Sequence, residues 1–363
     1  MKNKYQSDTF NPDMLIIARQ SRGYTQKQLA DLITPIRQSK LSKIESGIQN
    51  VSIQEAESMA TALNYPVDFF YQKELSCIPS ISGLFHRKRA TLSAKTLDKV
   101  HASIEIKCIQ VKKLLNSISI DHLPIPSYNV EDATPAEIAR MTRVLWQLPR
   151  GPVRNLIDVI ESAGGIIIPM DFGTDKIDAI SRRTTSNVPL FFVDFSRPMD
   201  RIRFSLAHEL GHMIMHKIPS KEIEVEANAF AAEFLMPEND IKEDLENLTL
   251  RYLPTLKLKW KTSMAALIYR ANDVSCIDEE RKQHLYIQLS KRGYKSREPK
   301  ELEPVRELPS LFYDLLKLHI TDLKYTKKEL SKLLLINENE LDELFPPDRP
   351  KLKIIKNSFQ NYA

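Results

Sequence analysis

Residues Phe204-Ser205-Leu206-Ala207-His208-Glu209-Leu210-Gly211-His212-Met213-Ile214 set a His-Glu-x-x-His pattern inside an apolar run long enough to be a buried helix. At 3.6 residues per turn His208 and His212 lie one above the other, so both imidazoles can reach a single ion. Glu209 projects beside them, where a carboxylate can take a proton from an attacking water while the ion polarises a carbonyl, the arrangement of hydrolytic zinc chemistry. The bare five-residue pattern is loose, and in an arbitrary chain it is more often a coincidence on a solvated helix. Here Leu206, Ala207, Leu210, Met213 and Ile214 leave the helix little reason to be exposed.

A catalytic zinc site needs a third protein ligand and an open coordination position. Residues 222–236 read as a second helix with Ile223, Ala227, Phe230, Ala231 and Phe234 on its apolar face. Steps of about 100° put Glu224 roughly 60° from Ala227, at the border of that face, and send Glu222, Glu226 and Glu233 to the solvent side. Glu224 is therefore the expected third ligand. Asn228, four residues on, is the expected hydrogen-bond partner of a ligating histidine. His216, one turn beyond His212, is carried past the ion and reads as structural or helix-capping. The expected metal is Zn2+, although His/His/Glu ligation also accepts Mn2+ or another divalent ion.

Working outward, the 363 residues exceed what one core usually organises, and the 42% apolar and 27% charged content is that of a globular protein. A net charge of +5 is too small to argue for nucleic acid or membrane binding without a local site. Cys77, Cys108 and Cys276 are odd in number and far apart, which fits a reducing cytoplasm and not a disulfide framework or a thiolate zinc site. No apolar run approaches the roughly 18 residues of a membrane span, so the expectation is a soluble cytoplasmic protein without membrane contact. Four segments are expected: a helical domain over 1–75, a linker and connecting helix over 76–130, a central domain over 131–297, and a helical module over 298–363. The linker covers 77–83 and a basic cluster, His86-Arg87-Lys88-Arg89, and the connecting helix runs from Thr91 to Leu115. Another helix is expected over 134–148, then strands at 164–169 and 190–193, giving a mainly α fold with a small β-sheet (α+β).

Within the first segment, residues 14–64 resemble a helix-turn-helix of the XRE/Cro type. Met14–Ser21, Thr25–Ile33 with Thr25 as N-cap, and Arg37–Ser46 ending at Gly47 would be its helices. In that docking geometry the start of the recognition helix meets base edges, which points to Gln38, Ser39 and Lys40, with Arg37 and Lys43 on phosphates. The competing reading is a bundle for protein contact, because Asp13, Asp31, Glu45, Glu55, Glu57 and Asp68 balance the basic residues. One module would bind DNA weakly, so a homodimer, or added contacts from Arg87, Lys88 and Arg89, is expected. Residues 325–331 echo the pattern of 24–30, but the following Glu338, Glu340, Asp342 and Glu343 would repel phosphate, so protein contacts are expected there.

The central stretches Asp200–His212 and Glu224–Pro237 together resemble the ImmA/IrrE family of metallopeptidases, a likeness that spans roughly residues 150–290 and includes Trp260–Leu267. It implies a zincin-like, gluzincin-type domain in which His208, His212 and Glu224 bind zinc and Glu209 is the general base. It also implies a helix-turn-helix repressor as protein substrate, cleaved to derepress stress or mobile-element genes. Two other readings stay open: a transcription factor whose metallopeptidase-like domain is a non-catalytic ligand or metal sensor, and a control element of a toxin-antitoxin or phage system. A complete His-Glu-x-x-His with Glu224 favours catalysis, since a pure sensor has no need of Glu209. The residues do not single out an oxyanion-stabilising group.

Overall fold

In the computed structural model, residues 9–33, 36–72, 77–78, 92–118, 125–217, 221–295 and 297–345 are described. The chain begins with α1 (Pro12–Ser21), α2 (Gln26–Leu32), α3 (Gln38–Glu45) and α4 (Ile53–Leu63), followed by a 3-10 turn at Val67–Tyr71. Thr25 with Gln28 and Ser52 with Glu55 form capping boxes at the starts of α2 and α4. Left-handed Asn64 closes α4, and Gly47, at φ 71°, follows α3 where a side chain would be strained. Met14, Leu29, Leu41, Ile44, Met59 and Phe69 make the core of this bundle. Arg19 locks it polarly, donating from Nε and Nη2 to the two Glu45 oxygens at 2.6 and 2.9 Å, so that α1 fixes α3. The expected Thr34-Pro35 turn lies outside the described residues.

Helix α5 (Ala94–Leu115) joins two cores. Ile106 and Ile109 pack into the N-terminal bundle, while Val100, Ile104, Cys108 and Val111 pack toward the sheet. After α6 (Pro135–Leu145) and α7 (Leu156–Ser162) comes that sheet. Its strands are β1 (Cys77–Ile78), β2 (Ile166–Pro169), β3 (Ala179–Thr184) and β4 (Pro189–Val193), in the order β1-β3-β4-β2. Strand β3 runs antiparallel to β1 and β4, and β2 runs parallel to β4.

The side chains alternate between faces as a pleated strand requires. Ile167, Phe191 and Val193 face the larger core, while Ile166, Ile168, Leu190 and Phe192 face the core shared with α5. Strand β3 carried no strand signal because Ser181, Arg182 and Thr184 are polar, yet all three are buried. Residues Cys77 and Ile78, read as linker, form the edge strand; the rest of that linker and the basic cluster His86–Arg89 lie outside the described residues. Cys276 is free but Cys108 is disulfide-bonded, which departs from the expectation that the scattered cysteines form no disulfides.

The larger core lies under α8 (Met199–Met215), α9 (Ile223–Leu235), α10 (Glu238–Leu245), α11 (Leu253–Trp260), α12 (Met264–Asp273) and α13 (Glu279–Lys291). Residues 298–307 then strap across it with three glutamates. Glu298 accepts from Met264 N at 2.9 Å and pairs with Lys257, and Glu303 accepts from Met199 N at 3.2 Å. Glu307 caps α7 through Leu156 N at 2.8 Å and pairs with Arg203, which is wholly buried.

Last come α14 (Leu311–Thr321), α15 (Lys327–Leu334) and α16 (Glu338–Glu343). Phe312, Leu315 and Leu316 cover the second face of the sheet. Within the chain, Glu340 accepts from Arg22 Nη2 at 2.8 Å and Asn64 Nδ2 at 2.9 Å, which ties α16 to the N-terminal bundle. Among the described residues no helix is long and apolar enough to cross a membrane.

Removing one partner of a buried ion pair strands the other charge in the core. Glu307→Ala is expected to cost about 3 kcal/mol and to lower the thermal melting point more than Glu307→Gln, which keeps an acceptor for Leu156 N. An unchanged melt for Glu307→Ala would contradict this account of the strap.

Candidate functional site

Helix α8 is buried along most of its length, with Ile202, Leu206, Leu210 and Ile214 in the core and Asp200 paired with Lys257 near its start. It therefore presents a fixed edge to α9, its main partner. Gly211 lets the two helices approach closely: a Cβ there would lie 3.0 Å from the Phe230 ring and 3.3 Å from Phe230 Cβ. That approach brings Glu224, in the first turn of α9, to the two histidines of α8.

His208 Nε2 and His212 Nε2 stand 3.0 Å apart, Glu224 Oε1 is 3.3 Å from His212 Nε2, and Glu224 Oε2 is 3.9 Å from His208 Nε2. Tetrahedral zinc with bonds near 2.05 Å needs ligand atoms about 3.3 Å apart, so the three donors fit one ion. Among the described residues these three make up the potential metal-binding group. The far nitrogens are also engaged. His208 Nδ1 meets Asn228 Oδ1 at 2.9 Å, and His212 Nδ1 meets His216 Nδ1 at 2.9 Å. His216 in turn meets Glu226 Oε2 through Nε2 at 2.9 Å.

Glu209 points to the sheet, only 3% exposed. Its Oε2 accepts from Ser181 N at 2.8 Å and Ser181 Oγ at 2.5 Å. Both bonds fall on one oxygen, which orients the carboxylate. A pocket of about 190 Å³ is lined by His208, Glu209, Glu224, Asn228 and Lys176 among others. Through Asp178, Phe204 and Ser205 it adjoins a cleft of about 890 Å³, bordered by α8, α12 and the strap.

Burial, then the neighbouring His212, lowers the His208 pKa. Burial, reinforced by His212 and His208, pushes His216 down to about 4, and burial followed by Glu222 raises Glu226.

The structure thus brings His208, Glu209, His212, Glu224 and Asn228 together. Three sequence expectations change. His216 occupies the C-cap position of α8, as expected, but its side chain joins the site. Glu226, expected in solvent, bonds His216, and Glu233, also expected in solvent, is 1% exposed between Arg140 and Arg270. The helical wheel failed there because α9 is covered on more than one side, by α6 as well as α8. Ser181 was missed because nothing in its local sequence announces a partner across the sheet.

On the N-terminal bundle, Arg37, Gln38, Ser39 and Lys43 are exposed along or just before α3. Lys40 differs, because its ammonium is paired with Glu55. Gln38 bonds Gln26 at 3.0 Å, and Gln26 also bonds Glu45, which ties α2 to α3.

With the site in place, the similarities of the chain are these. Residues 161–272 match the family model of the IrrE N-terminal-like domain, Peptidase_M78. Residues 15–70 match the model described as helix-turn-helix. The chain therefore joins a helix-turn-helix, DNA-binding domain to an IrrE-like, metallopeptidase-like domain. No curated protein matches it.

Two outcomes are expected for the IrrE-like domain. Gly211→Val forces α9 away from α8, so it should lower the melting point by the equivalent of about 1–3 kcal/mol of overpacking and also weaken zinc binding; full zinc affinity would contradict the close-crossing argument. The second concerns pH. Between the ordinary histidine value of 6.5 and about 4, the unfolded chain binds more protons at His216 than the native metal-free protein does. Stability is then fully present above pH 6.5 and is lost as pH falls through that window. Thermal melts of metal-free protein from pH 7 to 4.5 should fall more steeply for the parent than for His216→Gln; identical slopes would contradict the assignment.

Proposed function

We propose that the chain is a transcriptional regulator whose IrrE-like domain is a zinc-dependent endopeptidase acting on a helix-turn-helix repressor. The observation that carries this reading is the convergence of three metal donors beside a carboxylate that Ser181 holds in a fixed orientation. Zinc, when bound by His208, His212 and Glu224, supplies Lewis-acid polarisation of a carbonyl and lowers the pKa of water to about 7. Glu209 takes the proton from the attacking water and returns it to the leaving amine. With Oε2 engaged by Ser181, Oε1 is the oxygen left for that exchange. Asn228 fixes the ring of His208, and the adjoining cleft has room for a polypeptide segment.

A protein substrate also accounts for the fusion. The helix-turn-helix brings the peptidase to the promoters where repressors sit, with Gln38 and Ser39 read as base contacts and Arg37 and Lys43 as phosphate contacts. Lys40, drawn toward Glu55, contributes less. One such module reads one half-site, so we further propose that the regulator acts as a homodimer.

Purified parent and Glu209→Gln proteins, incubated with the repressors encoded nearest the gene, test the catalytic part. Both should bind zinc, and the variant should cleave at least about 100-fold more slowly. Zinc binding with no cleavage by the parent would replace catalysis with metal or ligand sensing. For DNA, Arg37→Ala and Lys43→Ala should each reduce the slope of log affinity against log salt by about 1. Unchanged slopes would move the DNA contacts elsewhere.

A further inference from the structure

We propose that His216 and Glu226 form a positioning pair that holds His212 in the one tautomer able to ligate a metal. The inference rests on the metal-binding part of the function proposed above, and not on peptidase activity.

A chain of contacts runs away from the metal position. His212 Nδ1 lies 2.9 Å from His216 Nδ1, and His216 Nε2 lies 2.9 Å from Glu226 Oε2. The side chains of His212 and His216 are each 3% exposed, so water does not stand in for these partners. A contact between two ring nitrogens holds one proton, which leaves two arrangements of neutral rings. In the first, His212 carries its proton on Nδ1 and donates to His216, which carries its own on Nε2 and donates to Glu226. Every contact is then a donor–acceptor pair, and His212 Nε2 keeps the lone pair that a metal needs. In the second, His216 donates from Nδ1, which pushes the proton of His212 onto Nε2, toward Glu224 and the metal position. His216 Nε2 then faces the Glu226 carboxylate as a second acceptor. The carboxylate disfavours that arrangement, so Glu226, acting through His216, selects the ligating tautomer of His212.

His208 receives the same service by a shorter route, from Asn228 Oδ1 on the same helix that supplies Glu226. Helix α9 therefore orients both histidines of α8 while its Glu224 completes the ligand set. The two routes explain why His216 closes α8: one turn beyond His212, it reaches back to Nδ1 and across to α9.

The test is zinc affinity of the full-length protein, measured by competition with a chelating dye, with far-ultraviolet circular dichroism of each metal-free variant as the fold control. Partners of ligating histidines are worth about 10- to 100-fold in metal affinity. His216→Ala and Glu226→Ala should each lose that much, and the double variant should lose no more than His216→Ala, because the glutamate acts only through the imidazole. His216→Asn should recover part of the loss, its amide oxygen accepting from His212 Nδ1 as Asn228 accepts from His208. Additive losses, or parent-like affinity in His216→Ala and Glu226→Ala, would overturn the pair while leaving the metal site intact. A parent that binds no zinc would remove the metal-site reading and the pair with it.

Discussion

The close crossing of α8 and α9 at Gly211 and Phe230 is the constraint on which the site depends. Two ligands one turn apart on a helix leave an ion open on its far side, and a short carboxylate on a neighbouring helix reaches it only if the helices nearly touch. Glycine at the crossing permits that approach, and Phe230 fills the space against it. The rest of the central domain holds this geometry still. The sheet supports α8 from below, and the strap anchors its start through Glu303 to Met199 N and through Glu307 to Arg203. An ion pair as deeply buried as Arg203 with Glu307 is weak as a source of stability, but it fixes a register strongly, because neither partner can leave without stranding the other.

Much of this was legible in the sequence, and the reason is local. The spacing of His208 and His212 is a property of one helix, and Glu224 follows from the wheel of the next. The helices of the N-terminal bundle show in caps such as Thr25 and in Gly47, which are short-range signals. What stayed hidden depends on contacts between segments far apart in the chain. Ser181 reads as an ordinary polar residue until β3 is laid beside α8. Glu226 and Glu233 read as solvated because a wheel assumes one wet face, whereas α9 is packed between α6 and α8. The bonded state of Cys108 stayed hidden for the same reason, since spacing along the chain does not reveal it.

The arrangement also ties the helix-turn-helix domain to the IrrE-like domain. Helix α5 contributes Ile106 and Ile109 to the DNA-binding bundle and Val100, Ile104, Cys108 and Val111 to the core behind the sheet. Glu340 adds a second tie by holding Arg22 and Asn64 from the C-terminal helices. The bundle and the sheet are thereby joined through packed side chains of one helix, and the sheet is the element that orients Glu209.

The central claim is a metal held by two imidazoles and one carboxylate at His208, His212 and Glu224. X-ray absorption at the zinc edge of the full-length protein addresses it directly. A low-coordinate shell of nitrogen and oxygen only is expected, with two imidazole scattering signatures that fall to one in His208→Ala. A sulfur ligand, a shell without imidazole, or a spectrum indifferent to His208→Ala would contradict it.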